Sequence, residues 1–341
     1  MSARRVWGRP LVSVYAAALW VKDALRRVGV LKTRILNWPV ISVGSLSAGG
    51  AGKTPVVIAL ARLLNEAGWS VDVLSRGYGR RGRGVARVQR DADHAAEEFG
   101  DEPVLIARET HAAVWVGADR FAAGLRAETE NGSARRGLHL LDDGFQHRRL
   151  ARTIDVALIT ADDLDDALLP AGNLREGLSA LQRADVIVVR AEDLELVDER
   201  VRRLMREGAA TWIVRRVLRF PAPLFVFGAG LRPVAFCAIA RPGDFASMLR
   251  EAGCGVIETV AFSDHHRYEM RDVESMVDVA KKLDGSGFVT TEKDAVKLTA
   301  AMRTRLEEVG PLMIVALEAL FAEPADVLRA IEAKITDEVR A

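Results

Sequence analysis

The chain has 341 residues, 49% of them hydrophobic and 28% charged, with a formal net charge of +1. That length exceeds one compact core and points to two α/β lobes, and the composition excludes an intrinsically disordered chain. Balanced charge excludes a global basic field for nucleic acid, and the two cysteines, Cys237 and Cys254, lack metal-ligand spacing, which excludes a disulfide scaffold or a zinc site.

Residues 1–36 differ from the rest of the chain. Arg4, Arg5 and Arg9 precede an apolar run from Leu11 to Val21, and Lys22, Arg26, Arg27, Lys32 and Arg34 come after it. The run is too short to span a bilayer, which takes about twenty residues. It has the basic start of a signal peptide without a small-residue cleavage site. Val14, Ala18, Val21, Leu25 and Val28 continue at helical spacing past the charges, so an amphipathic helix in the membrane surface is expected, with Trp7, Tyr15 and Trp20 at the interface. A helix packed on the protein's own core is the alternative.

Val40 to Val43 form an apolar strand pattern running into Gly49, Gly50, Ala51, Gly52, Lys53 and Thr54, after which Val56, Val57, Leu60, Leu63 and Leu64 recur at helical spacing. Strand, glycine loop and helix in that order predict a phosphate-binding loop, although Ser47 stands where the strict pattern has its first glycine. Backbone N–H groups and the helix N-terminus would cradle phosphates, Lys53 would reach the β- and γ-phosphates, and the Thr54 hydroxyl would hold Mg²⁺.

A second strand, Ser70 to Ser75, leads into a basic glycine loop at 76–84, either a phosphate clamp or a solvated turn; its position at a strand's C-terminal end favours the clamp. Gly100-Asp-Glu-Pro103 reads first as a helix N-terminus with proline in its first turn, and second as a pair of carboxylates placed for proton transfer. Val114 to Gly117 is a short strand, and Asp119 with Arg120 opens the next helix. Leu138 to Asp142 is a buried strand ending in Asp142 and Asp143, the form of a Walker B segment that sets a carboxylate near the metal.

Ile154 to Ile159 and Asp185 to Val189 add strands, with Arg175 and Glu176 after a turn between them, free to point into a site. Alternating strands and helices over 37–210 predict a doubly wound parallel sheet of the P-loop NTPase kind. Residues 211–224, β-prone but charged and containing Pro221 and Pro223, are expected to connect it to a smaller α/β lobe at 225–341, with strands near 224–227, 234–239, 256–262, 287–291 and 312–317. The last helix is free to pack back on the first lobe. Asp264, His265 and His266 lack a further cluster to complete a metal site, so an acid/base histidine or a surface turn is the better reading. The phosphate loop and the Walker B strand together imply nucleotide triphosphate binding, and no Asn-Lys-x-Asp segment argues for guanine, which leaves ATP.

The run Val43-Gly-Ser-Leu-Ser-Ala-Gly-Gly-Ala-Gly-Lys-Thr-Pro55, with Ser75-Arg-Gly-Tyr78, Gly100-Asp-Glu-Pro103, Leu141-Asp-Asp-Gly-Phe-Gln-His147, Leu169-Pro-Ala-Gly172, Leu174-Arg-Glu176, Asp264-His265 and Thr291-Glu-Lys-Asp-Ala-Val-Lys297, resembles the tetraacyldisaccharide 4′-kinases of Gram-negative bacteria. The matches run in order through nearly the whole chain. The resemblance implies ATP- and Mg²⁺-dependent phosphorylation of the 4′-hydroxyl of an acylated glucosamine disaccharide 1-phosphate in lipid A synthesis, at the cytoplasmic face of the inner membrane. It implies no nucleic acid and no obligate protein partner. It reverses the capping reading, making Asp101 the general base with His265 as its partner. Asp142, Asp143 and Glu176 become acidic positions around the metal, with Thr54, Asp142 and Glu176 as ligands and Asp143 catalytic. Arg76 and Arg175 become phosphate contacts beside the loop from Gly49 to Thr54. Ser45, Ala48, Ala51, Asn173 and Ala238 depart from the family's usual residues. The competing class is a membrane-associated P-loop ATPase that switches a protein partner.

Overall fold

The computed structural model describes residues 8–92, 94–132, 136–221 and 230–340. After α1 (Arg9–Arg27), the first lobe alternates strands and helices as β1 (Val40–Ser45), α2 (Lys53–Glu66), β2 (Ser70–Ser75), β3 (Ala86–Arg87), α3 (Ala95–Phe99), α4 (Asp101–Glu109), β4 (Ala113–Val116), α5 (Arg120–Glu130), β5 (Gly137–Asp142), β6 (Ile154–Ile159), α6 (Ala161–Leu164), β7 (Val186–Arg190) and α7 (Leu194–Leu204). The chain continues through β8 (Ala210–Arg219), β9 (Val234–Cys237), α8 (Pro242–Glu251), β10 (Glu258–Ala261), α9 (Met270–Lys282), β11 (Phe288–Thr291), α10 (Glu292–Ala295), α11 (Ala300–Glu307), β12 (Leu312–Phe321) and α12 (Pro324–Arg340).

All described strands belong to one sheet of order β10-β9-β11-β12-β8-β7-β6-β1-β5-β2-β4-β3. Among the described strands, only the β3–β4 and β8–β12 pairs are antiparallel. The central strands are buried along their whole length, as parallel strands covered on both faces must be. From β1 the chain crosses toward β2, while β6 lies on the other side of β1, so the strand order reverses there. Open α/β sheets bind ligands outside the carboxyl ends of strands at such a reversal.

The helix after β1 begins at Lys53. Val56, Val57, Leu60, Ala61 and Leu64 give it a buried face against the sheet. Each fully buried Val or Leu side chain of this kind contributes about 1.5–3 kcal/mol. That core also takes in Val327, Ile331 and Ile335, so α12 returns from the second lobe to pack on the first. A separate cluster around Phe236, Met276, Val277 and Phe288 builds the second lobe.

The segment 211–224, expected as a connection, is over most of its length part of the ten-residue strand β8, parallel to β7 and antiparallel to β12. Arg215 and Arg219 fall on exposed positions of the strand, Arg216 is paired with Glu192 and Asp244, and β8 ties the two lobes through sheet hydrogen bonds. The strand expected near 224–227 lies outside the described residues. In α1, Tyr15 turns inward and its hydroxyl donates to the Arg175 carbonyl at 2.9 Å, while Val14, Trp20 and Val28 are 66%, 70% and 72% exposed. Trp7 lies outside the described residues, and no described helix is long and apolar enough to cross a membrane.

Candidate active site

The glycine loop leaves β1 at the strand-order reversal. Gly50 and Gly52 adopt φ of +77° and +84°, open to glycine at little cost, and turn the backbone into the start of α2. A side chain at Gly50 would also strike Arg241 of the second lobe, whose Nε lies 2.8 Å from the Cβ position. Arg241 is held there by Asp162 of the first lobe at 3.0 Å. Lys53 folds back over the loop, with Nζ 3.2 Å from Ser45 Oγ and 3.5 Å from Asp143 Oδ1.

Asp142 and Asp143, at the end of β5, have different surroundings. Asp142 is buried and accepts a 2.7 Å hydrogen bond from Ser75 at the end of β2. Burial pushes its pKa up, and the charges of Glu102 and Asp143 add to this. Burial would raise Asp143 as well, but Lys53 and Arg175 outweigh it and hold the carboxyl below the usual range. Arg175 donates to Asp143 at 2.8 Å, to Gln146 at 3.2 Å and to the Ala48 carbonyl of the glycine loop at 2.9 Å. It therefore clamps the loop to the acidic strand end.

Asp101 is the first residue of α4. One oxygen accepts from the Glu102 amide at 3.0 Å, and the other accepts from His265 Nδ1 of the second lobe at 3.0 Å. Burial alone would raise the Asp101 pKa, but the His265 hydrogen bond and the charges of Lys293 and Lys297 bring it down to about 2. The same hydrogen bond pushes His265 up, against its burial. Lys293 braces the group, with Nζ 3.1 Å from Glu102, 3.5 Å from Asp264 and 3.5 Å from His265 Nε2. A cleft of about 740 Å³ opens beside the pair between Tyr78, Arg267 and Lys297. The basic loop is drawn to the same side, with Tyr78 5.4 Å ring to ring from His265 and the Gly79 carbonyl accepting from Arg267 at 2.8 Å.

The structure thus brings Lys53, Arg175 and Asp143 into direct contact around the glycine loop, sets Asp142 next to them, and joins Asp101 to His265. Glu176, expected among the acidic positions around the metal, is paired with Arg183. Leu174 bridges Ser47 beside the loop, and the Arg175 amide donates to the Leu46 carbonyl at 2.7 Å. The Glu176 charge also acts on Tyr15, Lys22 and Arg26 of α1. Arg76 is exposed, with Arg120 within electrostatic reach.

Sequence reasoning passed over three residues. Lys293 stands inside the Thr291–Lys297 motif, where nothing local gives it a role. Gln146, beyond holding Arg175, donates to the Ser45 carbonyl at 2.9 Å. Arg120 looked like an ordinary helix start but is buried, donating to the Gly117 and Ala118 carbonyls, with its pKa lowered to about 10 by burial against the pull of Asp142. Only the sheet, which brings β4 and β5 to either side of β2, sets Arg120 behind the two aspartates.

The family model for tetraacyldisaccharide-1-P 4′-kinase, LpxK, matches residues 4–336. The chain belongs to that family. The tetraacyldisaccharide 4′-kinase of Koribacter versatilis is 40% identical, over 85% of this chain and 88% of that protein. The Geobacter metallireducens enzyme is 37% identical, over 93% of this chain and 94% of that protein. A crystal structure of Aquifex aeolicus LpxK in complex with ATP superposes with a TM-score of 0.75 at 30% identity, covering 96% of this chain and 98% of that one. The fold and the glycine loop are therefore those of an ATP-dependent kinase family acting on a sugar hydroxyl.

Proposed function

We infer that this chain transfers the γ-phosphoryl group of ATP to the 4′-hydroxyl of a tetraacylated glucosamine disaccharide 1-phosphate. The observation that carries the reading is the Asp101–His265 pair, built from two lobes and set beside the nucleotide loop. A partner-switching ATPase has no use for an acceptor-side carboxylate held in this way.

The glycine loop and Lys53 bind and orient the triphosphate, and Arg175 keeps the loop in register with Asp143. Asp101 accepts the hydrogen bond of the incoming hydroxyl and takes its proton. A carboxylate held at about 2 is a weak base toward a free alcohol. It suits a loose transition state, in which the hydroxyl becomes strongly acidic only as its oxygen bonds to phosphorus. His265, Lys293 and Lys297 keep that carboxylate ionised and aimed.

The residues present fit Mg²⁺. Asp143 Oδ1 is buried with no hydrogen-bond partner, meeting only the Lys53 ammonium at 3.5 Å, and Thr54 stands in the first turn of α2. No group of three or more His, Cys, Asp or Glu able to hold a metal occurs among the described residues, as expected where phosphate oxygens and water complete the shell. Thr54 and the aspartates would hold the ion, which neutralises charge building on the phosphate oxygens.

The exposed apolar face of α1 supports a seat on a membrane surface, where an acylated acceptor resides. Because ATP is the donor, that surface is the cytoplasmic face of the inner membrane.

The test is incubation of the full chain with Mg²⁺, γ-labelled ATP and the tetraacyldisaccharide 1-phosphate in mixed micelles, after which the lipids are separated. Label should enter a bisphosphorylated lipid, and Lys53→Ala and Asp101→Ala should each lower kcat by about a hundredfold or more. Label found only as free phosphate overturns the kinase reading. A fully active Asp101→Ala overturns the role of that carboxylate.

A further inference from the structure

Beneath α1 lies a second concentration of charge that the chemistry at the nucleotide loop does not use. Lys22 and Arg26 of α1 meet Arg148 and Arg152 from the turn after β5 and Arg183 from the turn before β7, within mutual electrostatic range. Three carboxylates share this space. Asp23 pairs with Arg148 at 2.5 Å and with Arg26 at 3.5 Å, Asp155 pairs with Arg152 at 3.0 Å, and Glu176 pairs with Arg183. A fourth carboxylate, Asp185 behind Asp155, is taken up by Arg206 and Lys334, so five cations face three anions in a partly buried region, an excess of two positive charges.

Two of the guanidinium groups are also short of acceptors. The Arg26 Nε and the Arg183 Nε are buried and have no hydrogen-bond partner, and the two side chains are only 11% and 24% exposed. Buried donors are nearly always satisfied, so these two are open to an acceptor; the buried acceptor left over in the cluster, Asp155 Oδ1, belongs to the carboxylate that Arg152 holds by its other oxygen. Burial, and after it the neighbouring cations, lowers the pKa of Lys22 and Arg26, so their charges are crowded and would gain from an anion. The Arg183 guanidinium is held over Phe145, 4.5 Å from the ring centroid, which fixes its fork without occupying its N–H groups.

Place and surroundings narrow the anion's identity. Arg175 donates to the Ala48 carbonyl of the phosphate loop while the adjacent Glu176 pairs with Arg183 of this cluster, so the two sites are neighbours along the chain. Alongside Lys22 and Arg26 on the same helix runs an exposed apolar stripe of Val14, Val21 and Leu25, with Val28 just past the helix end. A ligand here is a phosphate on an acylated amphiphile.

We propose that Lys22, Arg26, Arg148 and Arg183 form a phosphate site under α1 that holds the acceptor's own 1-phosphate while its distal sugar reaches Asp101. The inference rests on the acceptor proposed above. A site of this kind makes the enzyme discriminate for an acceptor that is already phosphorylated at the far end.

The experiment compares the acceptor with its 1-phosphate against the same tetraacyldisaccharide bearing a free 1-hydroxyl, in nonionic micelles with the full chain. Charge-assisted hydrogen bonds to a phosphate are worth about 1.5–3 kcal/mol, so the wild type should show a KM about ten- to a hundredfold higher for the 1-hydroxyl acceptor. Arg183→Gln and, independently, the exposed Lys22→Gln should raise KM for the phosphorylated acceptor toward that of the other, with KM for ATP unmoved, and Arg183→Lys should recover part of the difference.

Equal losses on both acceptors would mean that the cluster only docks α1, and overturn the site. A wild type indifferent to the 1-phosphate overturns it too. So does an effect that emerges only when phosphatidylglycerol is added, since the phosphate recognised is then a headgroup's. A wild type that labels neither acceptor sinks the kinase reading itself, and is told apart from the other outcomes by the absence of any lipid product.

Discussion

Asp143 and His265 have φ of +49° and +60°, a region that non-glycine residues seldom adopt. Both are site residues, Asp143 one residue past β5 and His265 in the turn between β10 and α9, and each side chain reaches its partners from there, Asp143 to Lys53 and Arg175, His265 to Asp101. The Asp101–His265 pair has a pH signature whose sign is set by its two shifts. His265 is raised, so its contribution to stability is whole below about 6.5 and is lost as pH climbs through its folded value. Asp101 is depressed, so its contribution is whole above about 4 and is lost as pH falls toward about 2. His265→Gln should therefore lower Tm more at pH 6 than at pH 9, read by calorimetry at both values, and should lower kcat about a hundredfold. A Tm gap independent of pH would mean that the pair is neutral in the folded protein.

At the scale of elements, the parts of the chain where one local signal dominates were legible in advance. β2 and β6 have the bounds that their apolar, β-branched runs suggest, and β5 ends on the aspartate that the Walker B pattern requires. What escaped depends on partners distant in sequence. β8 looked like a linker because its partner β12 lies about a hundred residues on, as in the Arg219–Glu318 contact, and charge on a strand's outer face resembles charge in a loop. The pairing of Glu176, expected near the metal, with Arg183 is one that nothing local in the sequence announces. The helix α1 was legible as amphipathic but not as half-docked, since Tyr15 reaches a carbonyl of a segment 160 residues away. Its exposed face makes a prediction of its own. Trp20→Glu with Val28→Glu removes two largely exposed apolar side chains, and should weaken co-sedimentation with phosphatidylethanolamine–phosphatidylglycerol vesicles about tenfold or more while leaving ATP affinity unchanged. Undiminished sedimentation would show that this face does not meet lipid.

For the molecule as a whole, the question is what sets one lobe against the other. Near the antiparallel β8–β12 pair that joins them, Arg62 of α2 pairs with Glu109 of α4 at 2.5 Å and with Glu318 of β12 at 3.0 Å. Arg219 of β8 reaches Glu318 at 2.7 Å, Glu109 at 3.1 Å and Glu292 of α10 at 3.4 Å. Three carboxylates thus share two guanidinium groups across the junction, and the third is the odd one. Burial, and then the charge of Glu109, push the Glu292 pKa up to about 7, against the opposing pull of Arg219 and Arg62. A carboxyl that holds its proton more tightly folded than unfolded subtracts stability as pH rises from about 4.5 to 7, and subtracts its full amount above that. Glu292→Gln retains a donor toward Glu109 without the charge. Its Tm should match the wild type near pH 4.5, rise above it through neutrality and stay above it at pH 8, as tracked by thermal unfolding across that range. A variant less stable than the wild type at pH 8 would mean that Arg219 needs the third carboxylate ionised, and that the junction is held by charge pairing rather than strained by charge excess.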